Sequence, residues 1–190
     1  MTFEDYQTKE SVVVVYTGEG KGKTSASLGL LGRALGNRWH VAFIQFIKYW
    51  GVGEHVFLRD IQPLYKDKLH FYKGGKGFYG APDDLSPKQL TPEQHKQAAR
   101  DTFDEAFRCA TSGKYELVIC DEINNAVHDG LLGTSQLKEL IEKRSPKTSL
   151  CLTGRNFPEK LLPLTDIATS MDKIKHHFDD KYLANKGIDY

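Results

Sequence analysis

Apolar residues in this chain come in short unbroken runs, separated by polar stretches rich in glycine and proline. The runs fall at about 11–16, 39–46 (WHVAFIQF), 69–72, 115–121 (YELVICD), 148–153 (TSLCLT) and 166–171. Unbroken runs of this length predict strands buried on both faces, since a half-buried strand would alternate. Helical spacing fills the intervals: Ser25 to Leu35 closed by Gly36, Glu54 to Asp60, Asn124 to Val127, Gln136 to Lys143 and Phe157 to Leu164. The longest predicted helix opens at Thr91-Pro92-Glu93-Gln94, with Thr91 as cap, Pro92 at the first helical position and Gln94 completing the box. Its apolar face is Ala99, Phe103, Ala106, Phe107 and Ala110, it runs to about Ser112, and Gly113 stops it. Strands interleaved with helices predict an α/β fold, a mostly parallel sheet with helices on both faces. Residues 1–10 read as a flexible lead-in and 11–190 as one domain. The stretch from Gly74 to Pro92 is turn-rich and too long for a passive connector, which marks it as a functional segment.

Composition narrows the class. With 190 residues, 39% hydrophobic and 27% charged, the chain reads as a soluble globular protein. No apolar run is long enough to span a membrane, and the polar, acidic start is unlike a secretory signal. Lys+Arg 26 against Asp+Glu 25 lacks the basic excess of a nucleic-acid binder. The three cysteines, Cys109, Cys120 and Cys151, have no metal spacing, and Cys120 and Cys151 lie in apolar runs as small core residues. A reduced, cytoplasmic setting fits that usage.

The first apolar run leads straight into Thr17-Gly18-Glu19-Gly20-Lys21-Gly22-Lys23-Thr24 and then a helix. Strand, glycine loop and helix form a phosphate site: loop amides curl around anionic oxygens and the helix N-terminus adds partial positive charge. Lys23 would reach the phosphates and the Thr24 hydroxyl would sit on Mg²⁺. Thr17 stands where the strict motif has glycine, so the loop is a variant; its alternative is a surface turn. The fourth run ends in Asp121-Glu122, an acid at a parallel strand's C-terminal end, able to hold Mg²⁺ directly or through water. The alternative there is a helix cap by Asp121 with an exposed Glu122. Thr153-Gly154-Arg155 follows another buried run, and Arg155 could bind phosphate from the same rim or face solvent. Arg33 lies far along the first helix, where helix geometry favours solvent. His176 and His177 are adjacent, which is not zinc-ligand spacing.

Taken together, these segments resemble the ATP:corrinoid adenosyltransferases. The loop is similar to that family's TGNGKGKT, Val41 to Lys48 to its second strand, and Gly75-Lys76-Gly77-Phe78 to GEGF. Cys120-Asp121-Glu122-Ile123-Asn124 is similar to LDELN, and Leu152-Thr153-Gly154-Arg155 matches LTGR. Ile174 to Asp179 and Lys186 to Tyr190 are similar to VKHPFD and KGIEY. The resemblance covers nearly all of residues 12–190. It implies a RecA-like P-loop fold and transfer of the 5′-deoxyadenosyl group of ATP to the cobalt of a reduced corrinoid, releasing triphosphate. It also implies nucleotide binding by Gly18, Gly20, Lys21, Gly22, Lys23, Thr24, Ser25, Arg33 and Arg155, and Mg²⁺ at Thr24, Asp121 and Glu122. Lys23, Arg155 and Phe78 take the catalytic roles, with Phe78 packing below the corrin ring in place of the lower axial ligand. A homodimer and a reduced flavin or flavoprotein as electron donor are implied as well. Two positions depart from the pattern. Gly80 stands where the family has Trp, with Tyr79 or Trp50 as candidates to fill the gap. Glu19 replaces Asn and brings a carboxylate near the phosphates, which Lys21 or Mg²⁺ would offset. The rival readings are a P-loop ATPase or phosphotransferase that cleaves the β–γ bond, and a relative that holds ATP or corrinoid without turnover.

Overall fold

A computed structural model describes residues 4–77 and 90–190. The expected strands form as β1 (Val13–Thr17), β2 (Val41–Gln45), β3 (Leu69–Lys73), β4 (Leu117–Asp121), β5 (Ser149–Thr153) and β6 (Ile167–Ser170). All pairings are parallel, in the order β3-β2-β4-β5-β1-β6. The strand β5 separates the loop-bearing β1 from the acid-ended β4, which is the RecA-like variant of the P-loop fold.

The helices are α1 (Lys23–Gly36), α2 (Gly53–Tyr65), α3 (Pro92–Thr111), α4 (Ile123–His128) and α5 (Thr134–Lys143). They cover both faces of the sheet, and successive residues of one strand supply the two cores because strand side chains alternate. Ala42, Ile44, Val118 and Cys120 pack with Ala99, Phe103 and Ala106 of α3 and with Leu137, Leu140 and Ile141 of α5. Val41, Phe43, Leu117, Ile119 and Cys151 pack on the other side with Leu31, Ala34 and Leu35 of α1 and Leu58 of α2.

The start of α3 forms as expected. The Thr91 hydroxyl accepts from Gln94 N at 3.3 Å, and the Gln94 side chain accepts from Thr91 N at 2.8 Å. Gly113, with φ of +67°, follows its end. Two boundaries are corrected. The short helix expected over Glu54 to Asp60 runs on to Tyr65, because His55, Leu58, Ile61 and Tyr65 keep one face turned inward beyond Asp60. The helix expected from Phe157 is a tighter 3₁₀ segment, Glu159–Leu164, with Pro163 near its end. In the lead-in, Lys9 pairs with Asp166 beside β6. Among the described residues no helix is long and apolar enough to cross a membrane.

Candidate nucleotide-binding site

A parallel sheet brings the C-terminal ends of its strands to one edge, and here the residues following β1, β2, β4 and β5 open on a single cavity. Its volume is about 1180 Å³, above the ~300–1000 Å³ usual for a small-molecule pocket. Lys21 to Ser25, Lys48, Trp50, Glu54, Phe57, Glu122 and Arg155 line it, and residues from Lys175 to Tyr190 wall it.

The floor is built around Asp121, the fully buried last residue of β4. Its Oδ1 accepts from Thr153 Oγ1 at 2.7 Å, and its Oδ2 accepts from Gln45 Nε2 at 2.7 Å and from Thr24 Oγ1 at 3.2 Å. Gln45 is paired in register with Asp121 and bonds through its oxygen to the ring of His55. Burial lowers the His55 pKa to about 4, so the ring is neutral and Nε2–H is its donor to Gln45. Asp121 is therefore neither a helix cap nor a free ligand: both carboxylate oxygens are engaged, which suits it to act on a metal from behind Thr24.

Glu122 occupies the N-cap of α4 with φ of +65°, a left-handed conformation that is strained for a residue with a side chain. Its N–H donates to Thr153 Oγ1 at 2.9 Å, and its carboxyl turns into the cavity. Burial pushes that carboxyl up to about 7, with Lys48 pulling the other way. Its Oε2 is buried with no hydrogen-bond partner. The unpartnered Glu122 oxygen and the Thr24 hydroxyl line the same cavity, and both are oxygen donors of the kind Mg²⁺ takes. Lys48 lies among these acids, 2.7 Å from Glu54 Oε1, 3.9 Å from Asp121 Oδ2 and 4.0 Å from Glu122 Oε1. Burial alone would lower the Lys48 pKa, but Asp121, Glu122 and Glu54 outweigh it and raise it.

The glycine loop differs from a simple amide cradle. Gly20 N donates to Met171 O at 2.6 Å, and a Cβ at Gly20 would lie 2.7 Å from that oxygen. Glycine is required there by the close passage of the chain leaving β6, and this amide is not directed at a ligand. Lys23 Nζ donates to Gly18 O and Gly20 O, both at 2.6 Å, which engages two of the ammonium's three protons. Its pKa is lowered by burial and then by Arg155. Gly22, Thr24 and Ser25 line the cavity, while Gly18 takes part through its carbonyl.

The charge of Glu19 is offset differently from expectation. Glu19 pairs with Arg155 at 3.0 Å, and Lys21 instead pairs with Asp189 at 2.8 Å. Asp189 is also held by Asn185 N at 2.8 Å, and Lys21 keeps its carboxyl below the usual range. The Arg155 backbone N–H donates to Asn125 Oδ1 at 2.7 Å, and Gly154 before it has φ of +126°. Arg33 stands exposed in the last turn of α1 and does not line the cavity. The expected role of Phe78, and the Tyr79 and Gly80 positions, lie outside the described residues. Trp50 does line the cavity, and so does Phe57 of α2.

Sequence reasoning missed Lys48, Glu54, Gln45, His55 and Asp189. Two signals could have found the first and third: Gln45 is a polar residue inside an apolar run, and Lys48 follows the C-terminal end of a parallel strand.

The family described as ATP:corrinoid adenosyltransferase BtuR/CobO/CobP matches residues 9–190. A corrinoid adenosyltransferase of Sinorhizobium sp is 28% identical over 184 residues, covering 96% of this chain and 81% of that protein. One from Escherichia coli (strain K12) is 28% identical over 185 residues, covering 97% of this chain and 88% of the relative. Among solved structures, the flagellar accessory protein FlaH from Methanocaldococcus jannaschii superposes with a TM-score of 0.49 at 13% identity, over 85% of this chain and 71% of that one.

Proposed function

The chain belongs to the ATP:corrinoid adenosyltransferase family, and from that premise we propose how its own residues carry the reaction. The enzyme moves the 5′-deoxyadenosyl group of ATP to the cobalt of a reduced corrinoid. The cobalt electron pair forms the Co–C5′ bond, the C5′–O bond breaks, and triphosphate departs with the two electrons of the broken C5′–O bond.

The protein's task is to hold C5′ toward the corrinoid and to neutralise a highly charged leaving group. Lys23, Lys21 and Arg155 would bind the triphosphate from the loop side, with Gly22, Thr24 and Ser25 at the N-terminus of α1. Thr24 and Glu122 would hold Mg²⁺, with Asp121 orienting Thr24 from behind. When bound, the ion neutralises phosphate charge. Phe78, with Trp50 as a second aromatic, would take the lower face of the corrin ring. A homodimer, a reduced flavin or flavoprotein donor and a cytoplasmic setting complete the reading.

The observation that carries this reading is one cavity lined by Lys21, Lys23 and Arg155 together with Thr24 and Glu122, with the buried Asp121 accepting from the Thr24 hydroxyl behind it. Anaerobic incubation with MgATP and chemically reduced cobalamin tests it. Inorganic triphosphate and an adenosylated corrinoid are the expected products; ADP or orthophosphate would assign β–γ cleavage instead. For Phe78, Phe78→Ala is expected to slow Co(II) reduction on the enzyme and to spare transfer from Co(I). Equal loss in both assays removes it from the axial-ligand role.

A further inference from the structure

Lys48 has an unusual position for a cation in a site that is to hold a divalent metal. It leaves β2 through Phe46 and Ile47, and its side chain is only 15% exposed. Its ammonium lies 2.7 Å from Glu54, 3.9 Å from Asp121 and 4.0 Å from Glu122, and 3.4 Å from the Thr24 hydroxyl. These neighbours include every group that the proposed metal site uses. Glu122 still presents an unpartnered buried oxygen, so one ammonium does not satisfy the cluster.

An ammonium seated among these acids competes with a divalent cation for the same charges. Like charges a few ångströms apart repel strongly where water is scarce. The same ammonium lines the cavity beside Lys21, Lys23 and Thr24, within reach of whatever the glycine loop holds. A lysine side chain is long and rotatable, and two hydrogen bonds tether this one, a short one to Glu54 and a long one of 3.4 Å to the Thr24 hydroxyl.

We propose that Lys48 is the protein's own counter-cation for the acid cluster, and that it trades places with the metal when a polyphosphate arrives. In the free protein Lys48 neutralises Asp121 and Glu122 and weakens metal binding. With a triphosphate in the cavity, the ammonium moves onto phosphate oxygens and the metal takes its position. Metal and polyphosphate thus each prepare the site for the other, a positive coupling that is reciprocal by linkage. Lys48 becomes a further binding residue for the leaving group, and Glu54 the residue that holds it in reserve. This inference rests on the reading that the cavity takes a triphosphate nucleotide.

The test measures the two ligands separately. Mn²⁺ binding is followed by electron paramagnetic resonance without phosphate, and binding of inorganic tripolyphosphate by calorimetry in the presence of a chelator. Lys48→Met is expected to bind Mn²⁺ about tenfold more tightly than the parent and tripolyphosphate about tenfold more weakly. Lys48→Arg, which keeps the charge, should stay near the parent in both. A merely structural role would shift both affinities in one direction, and that result overturns the proposal. A parent that binds tripolyphosphate, with a Lys48→Met variant matching it on both measurements, overturns the exchange and leaves the nucleotide reading intact. A parent that binds no tripolyphosphate overturns both. Should Lys48→Met not fold, Glu54→Gln carries the test. It frees the ammonium and is expected to raise tripolyphosphate affinity about threefold, and no change there overturns the exchange.

Discussion

The floor and the outer wall of the cavity are held by opposite means. The floor is a buried polar chain, His55–Gln45–Asp121–Thr153, set among apolar strands, with the central carboxylate out of contact with water. The wall, residues 171–190, exposes Ile174, Leu183 and Ile188, and meets the glycine loop through the Gly20–Met171 bond and the Lys21–Asp189 pair. A buried, fully hydrogen-bonded floor keeps its dipoles aimed at a ligand without reorganisation. A wall fixed by few and solvated contacts yields at small cost in free energy. On the proposed reading the chemistry belongs on the floor, and the wall is the part that would yield to a ligand.

The largest test of this contrast is Asp121→Ala. It strands the Thr24, Gln45 and Thr153 donors and removes a carboxylate from beside Lys48, so urea unfolding should show a loss of about 3–5 kcal/mol. Next comes Lys23→Ala, expected to lower adenosyl transfer by about 10²–10³-fold with a thermal midpoint close to the parent's. Unchanged turnover in that variant would remove the glycine loop from the site.

A third test uses pH. Folding holds the His55 pKa at about 4 against 6.5 for the free side chain. Between those values the unfolded chain binds a proton that the native ring does not. This contribution is complete above pH 6.5 and is lost as pH falls toward 4, by about 3 kcal/mol. Denaturant titrations across that window should show the loss in the parent and a flatter profile in His55→Gln. The smallest effect belongs to the wall. Because Lys21 is 56% exposed, Asp189→Asn should leave the unfolding midpoint close to the parent's, while shifting KM for ATP a few-fold. If Asp189→Asn were as destabilising as Asp121→Ala, the contrast between floor and wall would be gone.

The sheet was legible in the sequence because its strands are unbroken apolar runs bounded by turn residues, and the α3 start because Thr91, Pro92 and Gln94 form a local signal. The loop and Asp121-Glu122 were legible because strand ends in a parallel sheet converge. What escaped depends on pairs distant in sequence. Lys21 meets Asp189, and Arg155 meets Glu19, only once β6 and the chain after it pack beside β1. The glycine at 20 reads as a phosphate-binding residue, yet its neighbour is the Met171 carbonyl. The Lys48–Glu54 pair bridges the loop after β2, and no periodicity marks it.

The left-handed backbone at Glu122 has a consequence for anyone seeking a heat-tolerant version of this enzyme. Glycine fits that conformation without strain, so Glu122→Gly should gain about 1 kcal/mol there while deleting a carboxylate that the reaction is proposed to need. Selection for sturdiness alone will drift toward that substitution, and only a screen that also scores turnover will keep the acid.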